Sequence, residues 1–200
     1  MAPWPAGKIR PVSEVMTKEI KTLSVDMGPA PEQAVEPSAS QITSTQIGTI
    51  GEVTVAAQLM LASDGRFSPF LPFADDDGID LIVYDKVTGI SLPIQVKART
   101  STKLGKSDTI LFDVRRKTFN DHEGAFLLAI LLDMTGGQIQ RAWLIPMSEL
   151  GSVARVGAEK LSITPSAKEG SKDRYTPFRC TDMVEVARRL AAYLDSRQGA

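Results

Sequence analysis

Asp76-Asp77-Gly78-Ile79-Asp80-Leu81-Ile82-Val83-Tyr84-Asp85 and, shortly after, Pro93-Ile94-Gln95-Val96-Lys97-Ala98 are the two segments whose relation decides how this chain is read. Each is rich in β-branched and apolar residues, as strands are, and Lys86-Val87-Thr88-Gly89 between them carries a hairpin turn signal. With those four residues as the loop, Asp85 faces Ile90, and counting back in antiparallel register sets Asp80 opposite Gln95. Residues paired in this way have Cα atoms about 4.5 to 5.5 Å apart and project to one face of the sheet. Strand alternation then puts Lys97 on the face of Gln95, with Ile94, Val96 and Ala98 on the other. A carboxylate, an amide oxygen and an ammonium converge on one spot.

That convergence suits metal-assisted hydrolysis of a phosphodiester. Hard cations such as Mg²⁺ take oxygen ligands, usually one or two carboxylates with waters and a substrate phosphate completing the shell. Asp80 supplies charge, Gln95 a neutral oxygen, and Lys97 a cation that orients the attacking water and stabilises developing negative charge.

Asp80, followed after fourteen intervening residues by Gln95-Val96-Lys97, resembles the signature of the PD-(D/E)XK nucleases. That family includes type II restriction enzymes, archaeal Holliday-junction resolvases and some intron-encoded homing endonucleases. Most members carry Asp or Glu where this chain has Gln95, and some branches use Gln. The resemblance implies an α/β domain of the restriction-endonuclease-like class, with a central mixed sheet, the hairpin at its middle, flanked by the first and last helices. It implies a Mg²⁺-dependent endonuclease acting on DNA, with Mn²⁺ as a substitute ion. Asp80, Gln95, the backbone carbonyl of Val96 and Glu52 would then be metal ligands, and Lys97 would position water. With one negative charge fewer than most relatives, the alternative is a nuclease-fold module, weak or inactive in catalysis, that binds nucleic acid or a protein partner. A homodimer is one state that the resemblance allows.

Glu52 enters through the first helix, expected from Thr43 to Ser63, capped by Ser44 or Thr45 and stopped near Gly65. Ile47, Ile50, Val53, Ala57 and Met60 recur at helical spacing and predict its core stripe. Glu52 lies off that stripe and is placed to reach the catalytic face. In several branches of the family a Glu on this helix contributes to the metal site, and Gly51-Glu52 with Ala56 and Ala57 is similar to that pattern.

Charge is distributed unevenly around the motif. The chain's formal net charge is −1, yet Lys86 to Lys117 holds eight basic residues against Asp108 and Asp113. Beside the acidic cluster Asp75, Asp76, Asp77 and Asp80, this excess suits a metal site next to a phosphate-binding rim. Arg99, Lys103, Arg115 and Arg116 are the candidate nucleic-acid contacts.

Two hundred residues, 42% hydrophobic and 24% charged, fit one folded domain. A single cysteine, Cys180, excludes an internal disulfide and argues against a zinc-thiolate site. The longest apolar run, Ala125 to Leu132, is too short to cross a bilayer, and the first residues lack a signal-peptide pattern. The expected setting is cytoplasmic, with no membrane partner. Neither a Ser-His-Asp order, a phosphate-cradling glycine loop nor HExxH is present, and the lone His122 reads as structural or solvated.

Residues 1–42 hold six of the twelve prolines and read as a flexible arm with a short helix across Pro11 to Leu23, preceding a domain of residues 43–200. Arg66 to Phe73, with two prolines, reads as an edge strand, and Thr100 to Asp108 as a mobile loop at the site's mouth. A strand follows at Ile110 to Val114. A second hairpin pairs Phe126 to Asp133 with Gln138 to Pro146, and a short helix over Met147 to Val153 and a strand over Leu161 to Ile163 come next. The last helix, capped by Thr181 or Asp182, places Met183, Val186, Leu190 and Leu194 on its core face.

Overall fold

The computed structural model describes residues 42–74, 77–101, 109–119, 122–133 and 135–198. The N-terminal arm through residue 41 and its expected helix lie outside the described residues. So do Asp75, Asp76 and residues 102–108, Lys103 among them.

The first helix, α1 (Ser44–Ala62), is capped by Thr43, one residue before the expected caps. Thr43 is extended, and its hydroxyl accepts from the Gln46 N–H at 3.2 Å while the Gln46 amide oxygen accepts from the Thr43 N–H at 2.8 Å. Only Thr43 has a Gln three positions on to complete this reciprocal box. The helix ends as Gly65 donates to the Met60 carbonyl.

The stripe predicted for α1 is on the wrong side. Gly51, Val55 and Leu59 face the core, whereas Ile50, Val53 and Met60 are 42%, 51% and 46% exposed and Ala57 is also outside. Of the predicted set, Ile47 alone packs against the core. Apolar residues surround this helix, so periodicity does not choose a face. Close approach chooses it: a Cβ on Gly51 would lie 2.6 Å from the Ala98 Cβ, so α1 seats on the sheet through a residue without a side chain.

Strands β1 (Phe67–Phe70), β2 (Leu81–Asp85), β3 (Ser91–Ser101), β4 (Phe112–Arg115), β5 (Phe126–Asp133) and β6 (Ile139–Pro146) follow. Then come α2 (Met147–Val153), β7 (Arg155–Val156), β8 (Lys160–Ile163), β9 (Arg179–Cys180) and α3 (Met183–Asp195). A six-stranded mixed sheet runs β1-β2-β3-β5-β6-β9, parallel between β3 and β5 and antiparallel elsewhere. A separate three-stranded sheet runs β4-β8-β7. Proline-bearing β1 lies at the sheet edge, where a missing N–H costs no ladder bond.

Both long helices pack on one face of the large sheet. Val55 and Leu59 of α1 join Met183, Val186, Leu190 and Leu194 of α3 over Leu81, Ile94, Val96, Leu128 and Ile130. The opposite face is covered by β4, β8 and α2, whose Phe112, Val114, Leu161, Ile163 and Leu150 pack on Leu127, Ala129, Trp143 and Ile145. β5 is buried on both sides, which is why it reads as an uninterrupted apolar run. Asp182 caps α3 by accepting from the Glu185 N–H at 2.8 Å. Among the described residues, no helix is long and apolar enough to cross a membrane.

Candidate active site

The β2–β3 hairpin positions the site. Leu81 pairs with Ile94 and Tyr84 with Ser91, so the same register continued by one residue sets Asp80 against Gln95. The Asp80 N–H donates to the Ile94 carbonyl at 3.1 Å, and at the other end Asp85 N–H donates to Ile90 at 2.9 Å. The turn is fixed by the buried Asp85 carboxylate. It accepts from Val87 N–H at 3.1 Å, from the Thr88 hydroxyl at 2.8 Å, and from Nε and Nη2 of Arg66 at 2.8 Å each. Chiefly because Arg66 donates to its ionised form, the Asp85 carboxyl titrates at about 2.

Asp80 is 5% exposed and Gln95 3%. One Asp80 carboxylate oxygen accepts from the Val96 N–H at 2.7 Å and faces the Lys97 ammonium at 3.5 Å. Gln95 Oε1 is buried and has no hydrogen-bond partner among the described residues, an arrangement that ordinarily costs about 1–3 kcal/mol. Its amide is wedged by Gly78, whose φ is +69°. A Cβ there would lie 2.7 Å from Gln95 Nε2 and 2.6 Å from the Thr118 carbonyl oxygen, so this position tolerates only glycine.

These residues floor a cleft of about 530 Å³. Ser44, Thr45, Gly48 and Glu52 of α1 line one side, and Asp113, Arg115 and Lys160 of the small sheet line another. Asp80, Gln95, Val96, Lys97, Arg99, Glu52 and Arg115, all singled out from the sequence, thus share one cavity. Arg116 is not brought there: its guanidinium donates to the Gly157 carbonyl at 3.4 Å. Thr100 and Ser101, expected in the mouth loop, belong to β3. His122 is exposed and lies outside the cleft lining.

Asp113, Lys160 and Thr118 also line the cleft and were not among the site candidates read from the sequence. Asp113 accepts from Lys160 Nζ at 2.6 Å and from the Ser162 hydroxyl at 2.6 Å. Burial pushes its carboxyl upward, but Lys160, Ser162 and the nearby charge of Arg99 outweigh that and hold it below the usual range. The only local signal for Asp113 and Lys160 is the alternation Phe-Asp-Val-Arg and Lys-Leu-Ser-Ile, each a strand with one apolar face; Thr118, in the turn after β4, has none.

As a metal centre, the floor offers hard oxygen donors of the kind that divalent cations accept. The unpartnered Gln95 oxygen fits a ligand role. Carboxylates are sparse, however: among the described residues, no three His, Cys, Asp or Glu side chains form a metal-binding group.

No family model matches the sequence, and no curated protein does. Among solved structures, the chain is similar to a bacterial homing endonuclease, with 22% identity over 78% of this chain and 99% of that one and a TM-score of 0.48. It is also similar to the Holliday junction resolvase of the archaeal hyperthermophile Archaeoglobus fulgidus, with 14% identity over 66% and 96% of the two chains and a TM-score of 0.39. The fold class expected from the sequence, a mixed central sheet flanked by helices, is the one observed.

Proposed function

We propose that this chain is a metal-dependent endonuclease that hydrolyses DNA phosphodiester bonds in the cleft floored by Asp80, Gln95 and Lys97. The observation that carries the reading is the buried, unpartnered Gln95 oxygen on the strand paired with Asp80. Asp80, Gln95, the Val96 carbonyl and Glu52 would hold Mg²⁺, or Mn²⁺ in its place. Bound there, the ion would polarise a phosphate oxygen and lower the pKa of an attacking water.

The chain's own groups do the rest. The Val96 N–H holds the Asp80 carboxylate in one orientation. Lys97, whose side chain is 29% exposed, lines the cleft, where its ammonium would orient water and offset charge on the phosphate. Arg99 and Arg115 line the same cleft and would take neighbouring phosphates. Arg116 does not line the cleft and would not take part in those contacts.

The second reading, a module that binds nucleic acid or a protein without cutting, is favoured by the neutral Gln95 and by the sparse carboxylates. Supercoiled plasmid incubated with Mg²⁺ or Mn²⁺ separates the two, with Asp80→Ala and Lys97→Ala alongside. Metal-dependent nicking lost in both variants supports hydrolysis at this site. Nicking that persists in both points to a contaminant, and binding without nicking under either metal favours the module.

A further inference from the structure

The polar face of β4–β8 carries a charge arrangement that the floor chemistry does not use. Arg115 and Lys160 are directly opposite each other in the antiparallel ladder, and both line the cleft. Like charges in that position destabilise a strand pair. Two residues along, Asp113 is opposite Ser162, and its carboxylate draws Lys160 across the ladder diagonal at 2.6 Å. Arg115 makes no ion pair among the described residues, and the charge of Arg99 also acts on Asp113. One carboxylate therefore serves two cations, Lys160 and Arg99, on the strand face that also carries Arg115, and the Lys160 side chain is 51% exposed. The apolar partners Phe112, Val114, Leu161 and Ile163 are buried behind this face, so its side chains are held by rigid strands.

We infer that Arg115 and Lys160 form a second phosphate subsite, for a backbone phosphate flanking the scissile one, with Asp113 occupying Lys160 as a competing anion until nucleic acid displaces it. Arriving phosphate would bridge the two opposed cations and relieve their repulsion, and Lys160 would exchange a carboxylate for a phosphate oxygen. Ser162 continues to hold Asp113 when Lys160 leaves. The inference rests on the nucleic-acid reading above, but it concerns binding and needs no hydrolysis.

The test is fluorescence anisotropy of a labelled DNA duplex and of a labelled single strand, titrated with full-length protein in EDTA over a series of KCl concentrations. Lys160→Ala is expected to weaken binding and to reduce the slope of log K against log[salt] by about one phosphate contact. Asp113→Asn keeps the side-chain shape and removes the competitor, so it is expected to tighten binding about two- to fivefold. Lys160→Arg retains the wild-type slope, and Lys172→Ala, an exposed residue outside the cleft lining, leaves it unchanged. Circular dichroism melts identify any variant that fails to fold, and Lys160→Gln then replaces it.

An unchanged slope in Lys160→Ala, or weaker binding in Asp113→Asn, would overturn the inference and leave the pair as a brace between two strands. Wild-type protein that binds neither DNA would overturn it as well. The expected slopes without nicking in the plasmid assay uphold the subsite and sink only the hydrolytic reading.

Discussion

Replacing Asp85 by Ala strikes the bond network that sets the hairpin register. The buried carboxylate accepts two guanidinium bonds from Arg66 and one each from Thr88 and Val87. Hydrogen bonds to charged groups contribute about 1.5–3 kcal/mol each, though they are not additive. Arg66 is 22% exposed and keeps Asp195 as a partner, so the substitution does not strand a buried charge. A loss of about 3 kcal/mol at pH 7 is expected. The same bonds set an expected pH dependence. The carboxyl titrates at about 2 instead of 3.8, which at about 1.4 kcal/mol per pH unit corresponds to about 2.5 kcal/mol of stability. Because the folded value is the lower one, this stability is fully present above about pH 4 and is lost as pH falls through 2. Urea unfolding of both proteins at pH 7, 4 and 2.5 measures the gap, which should be close to full size at the first two and shrink at the last. A gap under about 1 kcal/mol at pH 7, or one undiminished at pH 2.5, would refute this account of the turn.

Three further outcomes are expected. Gly51→Ala should cost about 1–3 kcal/mol in urea unfolding, because the added methyl meets the Ala98 Cβ at 2.6 Å and forces α1 off the sheet; a neutral result would contradict the close seating. Val53→Glu, on the exposed side of α1, should change stability by less than about 0.5 kcal/mol, whereas Val55→Glu, fully buried, should abolish folding as followed by circular dichroism. The Cys180 thiol, buried and pushed up to about 11 chiefly by desolvation, should react with an aromatic disulfide reagent at pH 8 only after denaturant is added. Fast labelling of the native protein would show that its pocket opens.

The hairpin was legible because its determinants are local. Four turn residues fix the register, and a period of two then assigns every side chain on both strands to a face. The last helix was legible for a related reason: Met183, Val186, Leu190 and Leu194 form one apolar stripe against charged neighbours. Helix α1 lacks that contrast, with Glu52 its sole charged residue, so the choice between two apolar faces waited on Gly51 meeting Ala98. Asp113 and Lys160 were illegible because their neighbourhood depends on β4 pairing with β8, strands about as far apart as Asp113 and Ser162, which are separated by 49 positions. No turn signal links such strands, and each is too short to announce its partner. Gly78 illustrates the intermediate case: its turn was read from the sequence, but its role in wedging Gln95 needed Thr118 brought in from elsewhere in the chain.

The central claim is that Asp80 and Gln95 present oxygens to a common point beside Lys97. A crystal structure of the protein soaked with Mn²⁺, examined by anomalous scattering, addresses it directly. The expected result is a peak between the Asp80 carboxylate and Gln95 Oε1, each about 2.0–2.3 Å from the ion, absent from crystals of Asp80→Ala. Anomalous density elsewhere, with Gln95 Oε1 still unligated at saturating Mn²⁺, would contradict the account.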